Sequence, residues 1–312
     1  MRDSLKNLRI GILSGGKSEE REISLKTGHA VFNALKEIGY NVMFFDIDEN
    51  FVDNLKKIDV CFIALHGTYG EDGRVQGALD LFGVPYTGSG VSASAIAMDK
   101  IRSKVLLDYY GLKTPSFVAV KKGEDIDSIK KRLEKIAPPY FIKPNSSGSS
   151  IGCRIVDSLG DGLADALNNA FKYGDEALIE KHIEGREIQF AVAFGMPLGC
   201  IEVKPKDFFY SYDAKYTKGK TTYILDPGLK PEEYEACESA AIRTHDIIGC
   251  SGISRTDMML TGNGDVYILE VNTLPGLTEL SIVPMIADKR GISFGELVEN
   301  IIEDGIFKKK DE

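Results

Sequence analysis

The dipeptide Asn263-Gly264, set between the strand-like runs Ile253 to Leu260 and Val266 to Val271, constrains this chain more than any other feature. Asn-Gly is the strongest short hairpin signal, because both residues tolerate the left-handed backbone of a type I′ turn. A two-residue turn there fixes the register. Asp257 faces Glu270 and Arg255 faces Asn272, all on one side of the ribbon. The other side then holds Met258 with Leu269 and Leu260 with Tyr267, an apolar set fit to pack on a core.

Two carboxylates whose Cβ atoms lie about 5 Å apart repel unless a cation sits between them, and an amide oxygen beside them adds a third hard donor. Mg²⁺ is the natural occupant. An arginine next to three metal ligands suits a site that also receives phosphate oxygens or a developing oxyanion. Phosphoryl transfer fits this combination. The bland alternative, a solvent-facing charged ribbon, sits poorly with Glu270 inside the apolar run Val266 to Val271.

The rest of the chain reads as alternating elements. Leu8 to Leu13 predicts a strand stopped by Ser14-Gly15-Gly16, followed by a helix over Ile23 to Ile38 and strands at Val42 to Ile47 and Val60 to Leu65. That order predicts a parallel sheet, whose loops Ser14 to Glu20 and His66 to Gly73 leave the carboxyl ends of strands, where ligands usually bind. One long helix is expected over Ser92 to Tyr110, with a domain boundary near Asp99. Strands at Phe117 to Val120, Tyr140 to Lys143 and Ile151 to Val156, with helices at Asp125 to Ile136 and Gly162 to Phe171, predict a small α+β unit. Leu178 to His182, Glu187 to Phe194, Gly199 to Lys204, a helix at Glu232 to Ile248 and the hairpin predict a larger one. The fold class is therefore α/β followed by α+β.

Other segments complete a phosphate site. Lys143 to Ser150 offers backbone N–H groups, hydroxyls and one lysine between two strands, though a plain Ser/Gly loop reads the same way in isolation. His66 to Gly73 spends too many glycines for an ordinary loop and implies close backbone approach to a ligand. Glu19 to Glu22 is either an acidic first helical turn or part of the same crevice. Gly276, just after the hairpin, can present an N–H to an oxyanion, and Tyr210 to Thr222 reads as a lid. His29 and His245, on helical stretches, read as ordinary histidines.

A formal charge of −9, with no basic cluster beyond Lys308-Lys309-Lys310, argues against nucleic acid or a membrane surface as partner. No run approaches the roughly 20 apolar residues needed to cross a bilayer. Five cysteines without Cys-x-x-Cys spacing read as reduced, buried thiols in a cytoplasmic protein.

In its ordered motifs the chain resembles the ATP-grasp ligases, and within them the D-alanine:D-alanine ligases of bacterial cell-wall synthesis. The motifs are Gly15-Gly16-x-Ser18-x-Glu20-Arg21-Glu22, His66-Gly-x-x-Gly-Glu-Asp-Gly73, Tyr86 to Gly90, Met98-Asp99-Lys100, Arg255-x-Asp257 and Glu270-x-Asn272-x-x-Pro275-Gly276. The resemblance implies a Rossmann-like N-terminal domain over residues 1–98, then a two-domain ATP-grasp fold divided into 99–180 and 181–312. It implies ATP held by Lys100, Lys143, Ser150, Glu180, Lys181, Ile183, Glu187 and Lys215. Two Mg²⁺ ions, replaceable by Mn²⁺, would sit on Asp257, Glu270 and Asn272. Glu20, with Ser149 and Tyr216, would orient the first D-alanine near His66, while Arg255 and Gly276 would stabilise the tetrahedral intermediate. Ser281 and Ile282 would receive the second D-alanine. A homodimer is the family's expected assembly.

The implied reaction activates one D-alanine as an acyl phosphate and joins it to the amine of a second. The resemblance also implies that Tyr216, standing where relatives making D-alanyl-D-lactate usually carry a different residue, favours an amine over a hydroxyl, while Asn145-Ser146-Ser147 departs from the charged or longer residues often found in the family's phosphate loop. The rival readings are a D-alanine:D-lactate ligase, a noncatalytic ATP-binding regulator on the same scaffold, and a dinucleotide-dependent dehydrogenase. The last lacks Gly-x-Gly-x-x-Gly after the first strand.

Overall fold

A computed structural model describes residues 6–205, 220–278 and 281–307. Its first sheet forms where the sequence is most uniformly apolar. Strands β1 (Arg9–Leu13), β2 (Asn41–Phe45) and β3 (Val60–Ile63) pair in parallel in the order β2-β1-β3, with helix α1 (Arg21–Glu37) as one crossover. Ile10 and Ile12 are fully buried against one cluster, whereas Leu13, Cys61 and Ile63 belong to another. Both faces are covered, which is why these strands show no polar alternation. A short helix α2 (Phe51–Leu55) and α3 (Arg74–Leu81) complete this region.

The long helix expected next is two helices, α4 (Val91–Met98) and α5 (Lys100–Tyr109). Asp99 breaks it: its backbone is extended and its side chain caps α5 by accepting from the Arg102 N–H at 2.9 Å. Capping carboxylates favour this position because the first turn of a helix leaves its N–H groups unpaired.

Four antiparallel strands follow, β4 (Phe117–Lys121), β5 (Tyr140–Pro144), β6 (Arg154–Val156) and β7 (Glu176–Lys181), in the order β4-β7-β5-β6. Val118, Ile142 and Ile179 bury one face against helices α6 (Ile126–Leu133) and α7 (Asp161–Ala170). Phe141 pairs with Glu180, and Lys143 with Leu178, so these side chains share the opposite face.

The last sheet runs β10-β9-β8-β11-β12, all antiparallel: β8 (Arg186–Ala193), β9 (Met196–Pro205), β10 (Thr221–Ile224), β11 (Ile253–Leu260) and β12 (Val266–Asn272). Helix α8 (Pro231–Ile248) covers one face through Cys237 and Ala241, against Ile188, Phe190, Met258 and Leu260. The other face joins the parallel sheet in one core with α9 (Ile282–Lys289) and α10 (Phe294–Phe307). Tyr40 donates to buried Glu299 at 2.7 Å, tying α10 to the first region.

The hairpin departs from the expected tight turn in two ways. Leu260 pairs with Val266, so the connection is the five residues Thr261 to Asp265. The partner of Met258 is Ile268 and that of Met259 is Tyr267, not the expected Leu269 and Ile268, while Leu260 does not face Tyr267. A bulge leaves Leu269 as the extra residue and restores the pairs Asp257 with Glu270 and Arg255 with Asn272. Two one-residue differences cancel before the acids are reached.

Candidate active site

Two cavities meet at this hairpin. The first, about 530 Å³, lies between the polar face of the four-stranded sheet and β8, β9 and β11. Its floor is a cluster of paired charges. Glu180, 2% exposed, places Oε1 3.0 Å from the Lys104 ammonium and 3.1 Å from that of Lys143. Burial alone pulls the Lys143 pKa down, but Glu180 and Glu270 beside it outweigh that and the net movement is upward. Lys104 is the reverse case: burial dominates its neighbouring carboxylates and lowers it to about 8. Lys100, at the start of α5, donates to the Ser147 carbonyl at 2.8 Å and lies 3.4 Å from Glu270 Oε2.

Asn145, the apparent departure in the phosphate loop, has a structural use. Its side-chain oxygen accepts from the Ile101 N–H at 2.9 Å and its main-chain oxygen from the Lys100 N–H at 3.4 Å, which seats the N-terminus of α5 and with it Lys100. Ser150, Lys181, Ile183 and Glu187 line the same cavity. So does Glu202: burial raises its pKa, but Arg186 at 2.7 Å and Lys204 at 3.3 Å prevail and hold it low.

The second cavity, about 630 Å³, is walled by Glu20, His66, Ser149, Arg255, Gly276 and Ile282, and also contains Ser281. Ser149 donates a short hydrogen bond to Glu20 Oε1. The other Glu20 oxygen is closely packed, since a Cβ added at Gly67 or at Gly148 would lie 2.8 Å from it. Gly67 also adopts φ +66, so two glycines 81 positions apart leave room for one carboxylate. His66 Nε2 is 3.0 Å from Thr27 Oγ1 and its Nδ1 is 3.6 Å from Glu71 Oε1. The Ser281 hydroxyl accepts from the Thr278 N–H at 3.0 Å.

Ser149 and Ser150 divide the cavities between them, one lining each. Both hold left-handed backbone, φ 52 and 55, a conformation that costs a non-glycine residue about 1–3 kcal/mol.

The hairpin contributes to both sides. Asp257 and Glu270 line the first cavity, Arg255 and Asn272 the second. Arg255 grips Asp257 through two bonds of 2.7 and 2.8 Å, and Asn272 Oδ1 accepts from the Leu274 N–H at 2.9 Å. Among the described residues no group of three or more His, Cys, Asp or Glu gathers as a metal site. The donor set here is two facing carboxylates and one amide, all hard oxygens, which suits Mg²⁺ and does not suit a soft ion.

Lys215 and Tyr216, with most of the expected lid, lie outside the described residues. Lys104 and Gln189 escaped the sequence reading, and Glu71 entered it only as part of the His66 to Gly73 loop. Lys104 stands one helical turn after Lys100, a spacing that signals a shared face, but a helical lysine is ordinarily solvated. Of the five free cysteines four are buried as expected, whereas Cys153 is half-buried and lines the first cavity. His245 is buried with Nδ1 2.8 Å from Ser254 Oγ, and His29 stacks on Phe44 and borders the second cavity. Among the described residues no helix is long and apolar enough to cross a membrane.

The pattern described as D-ala D-ala ligase C-terminus matches residues 106–303, and the one described as D-ala D-ala ligase N-terminus matches residues 48–89. A D-alanine--D-alanine ligase of Geobacter sulfurreducens is 45% identical over 314 residues, covering 100% of this chain and 98% of its own. One from Syntrophotalea carbinolica is 44% identical, covering 99% of each. The solved structure of a D-alanine--D-alanine ligase from Bacillus anthracis complexed with ATP superposes with a TM-score of 0.86 at 35% identity, over 97% of this chain and 99% of that one.

Proposed function

We propose residue roles from the premise that this chain belongs to the D-alanine–D-alanine ligase family. It is an ADP-forming ATP-grasp ligase that joins two D-alanine molecules for cell-wall synthesis through a D-alanyl phosphate. ATP occupies the first cavity, with Lys100, Lys143 and Ser150 on its phosphates, Glu180, Lys181 and Ile183 around the adenine and Glu187 on the ribose. Lys215 reaches the γ-phosphate. Asp257, Glu270 and Asn272 hold Mg²⁺, taken as two ions and replaceable by Mn²⁺. When bound, the metal neutralises the charge that builds on the transferring phosphoryl group.

The first D-alanine lies in the second cavity, its ammonium on Glu20, which Ser149 and Tyr216 orient, and beside His66. Its carboxylate oxygen attacks the γ-phosphorus and ADP departs. This step is required because a free carboxylate has no leaving group better than oxide. Arg255 and the Gly276 N–H then stabilise the oxyanion formed when the second D-alanine's amine attacks the acyl carbon. The amine loses a proton, the C–O bond to phosphate breaks and phosphate leaves. Ser281 and Ile282 seat the second D-alanine.

The observation that carries this reading is the meeting of the two cavities at one hairpin, with Asp257 and Glu270 lining one and Arg255 and Asn272 the other. We divide the chain at 98/99 and 180/181 on the same reading, and assign it to the cytoplasm as a homodimer. Light scattering tests the assembly. D-alanine-dependent phosphate release with and without Mg²⁺, beside product analysis with D-lactate as second substrate, tests the reaction. Turnover indifferent to Mg²⁺ would overturn the metal assignment, and a depsipeptide product the choice of nucleophile.

A further inference from the structure

Lys104 is 1% exposed and lines neither cavity, yet its ammonium lies 3.0 Å from Glu180 Oε1, the oxygen that Lys143 approaches at 3.1 Å. The two lysines are held in parallel. Lys104 donates to the Ile268 carbonyl at 3.4 Å and Lys143 to the next carbonyl, Leu269, at 3.5 Å. Leu269 is the extra residue of the bulge, so the slip in register accompanies the spacing of the pair. Lys100, Lys104 and Lys143 thus stand against two carboxylates, Glu180 and Glu270.

The arrangement matters when a phosphate arrives. Were Lys143 the sole partner of Glu180, its ammonium would have to leave a deeply buried carboxylate unpaired in order to turn toward the nucleotide, and an uncompensated buried charge is strongly disfavoured. A second lysine on the same oxygen removes that conflict. We infer that Lys104 is a positioning residue for ATP, a buried counter-ion that keeps Glu180 paired while Lys143 engages phosphate. Lys104 itself touches neither nucleotide nor D-alanine. The inference rests on the proposed role of Lys143.

Steady-state kinetics and fluorescent-nucleotide binding separate the two ideas. Lys143→Met alone tests whether Lys143 holds phosphate, and an unchanged KM for ATP in that variant sinks the underlying reading. Lys104→Met is expected to raise KM for ATP about tenfold while leaving kcat at saturating ATP and KM for D-alanine within about twofold. In a Lys143→Met background the same substitution is expected to add less than about twofold, because its effect passes through that ammonium. A full tenfold effect persisting there overturns the inference while leaving the phosphate role of Lys143 intact. A change confined to melting temperature, with both KM values unmoved, overturns it as well. Should Lys104→Met fail to fold, Lys104→Met/Glu180→Gln removes both charges together. Its KM for ATP is expected within about twofold of Glu180→Gln alone, and a tenfold gap between those two variants is the contrary result.

Discussion

The two cavities are built by different means. The first cavity, proposed for ATP, rests on side chains rooted in strands and one helix, with each of these buried charges answered by another: Lys104 and Lys143 by Glu180, Lys100 by Glu270, Glu202 by Arg186. The second cavity, proposed for D-alanine, joins loops to the face of α1 and the strands of the last sheet, and in it Glu20 is closely packed against Gly67 and Gly148. A floor of paired charges suits a highly charged ligand whose phosphates exchange partners on binding. Close backbone packing suits a small amino acid, whose few atoms offer little else to recognise. On the proposed assignment, the difference places affinity for the two substrates in separable parts of the chain.

The largest expected effect falls where the parts touch. Glu270→Gln should lower kcat on the order of a thousandfold with the fold retained by circular dichroism, since it removes one of the two facing carboxylates that are proposed to hold Mg²⁺ beside the transferred phosphoryl group. Near-normal turnover would remove the hairpin from the chemistry. Gly148→Ala comes next, because its new Cβ would stand 2.8 Å from Glu20 Oε2 and push the carboxylate off its position. The first-site KM for D-alanine should rise on the order of tenfold to a hundredfold while KM for ATP hardly moves. Equal movement of both constants would break the separation.

Ser281→Ala should weaken the second D-alanine by about tenfold through one lost hydrogen bond to a charged group, again sparing ATP. Biphasic D-alanine kinetics would report it.

The smallest effect is a control remote from both cavities. Hydrogen bonds from the Arg9 side chain and backbone hold Asp59, at the edge of the parallel sheet, down to about 2. A carboxyl whose folded pKa is depressed contributes stability above its unfolded value, about 4, and loses that contribution as pH falls through the folded one. Arg9→Ala should therefore lower the melting temperature slightly at pH 5 to 7, with the deficit shrinking below about pH 4. Both KM values should stay put, and a shift in either would show that the parallel sheet communicates with the site.

What the sequence revealed follows the same division. The parallel sheet was legible because apolar runs such as Val60 to Ile63 have few alternatives to burial on both faces. The acid pairing was legible too, but for a partly mistaken reason: a longer turn and the Leu269 bulge offset each other. Asp99 carried a capping signal inside an otherwise continuous helical pattern, and the continuity masked it. Lys104 was hidden because only three-dimensional contact distinguishes a buried lysine from a solvated one. Glu20 meets Ser149 across 129 positions, a distance that no periodicity spans, so that contact was visible only through resemblance.

The compensation in the hairpin has a practical reach. β11 is held on its far side by β8, where Asp257 pairs with Gln189, and Leu269 absorbs the slip before Glu270. The acid pair is thereby insulated from the distal tip. Thr261 to Asp265 becomes a place where a peptide or a reporter group can be grafted, the ribbon's outer end changing length while its inner end keeps the same carboxylates face to face.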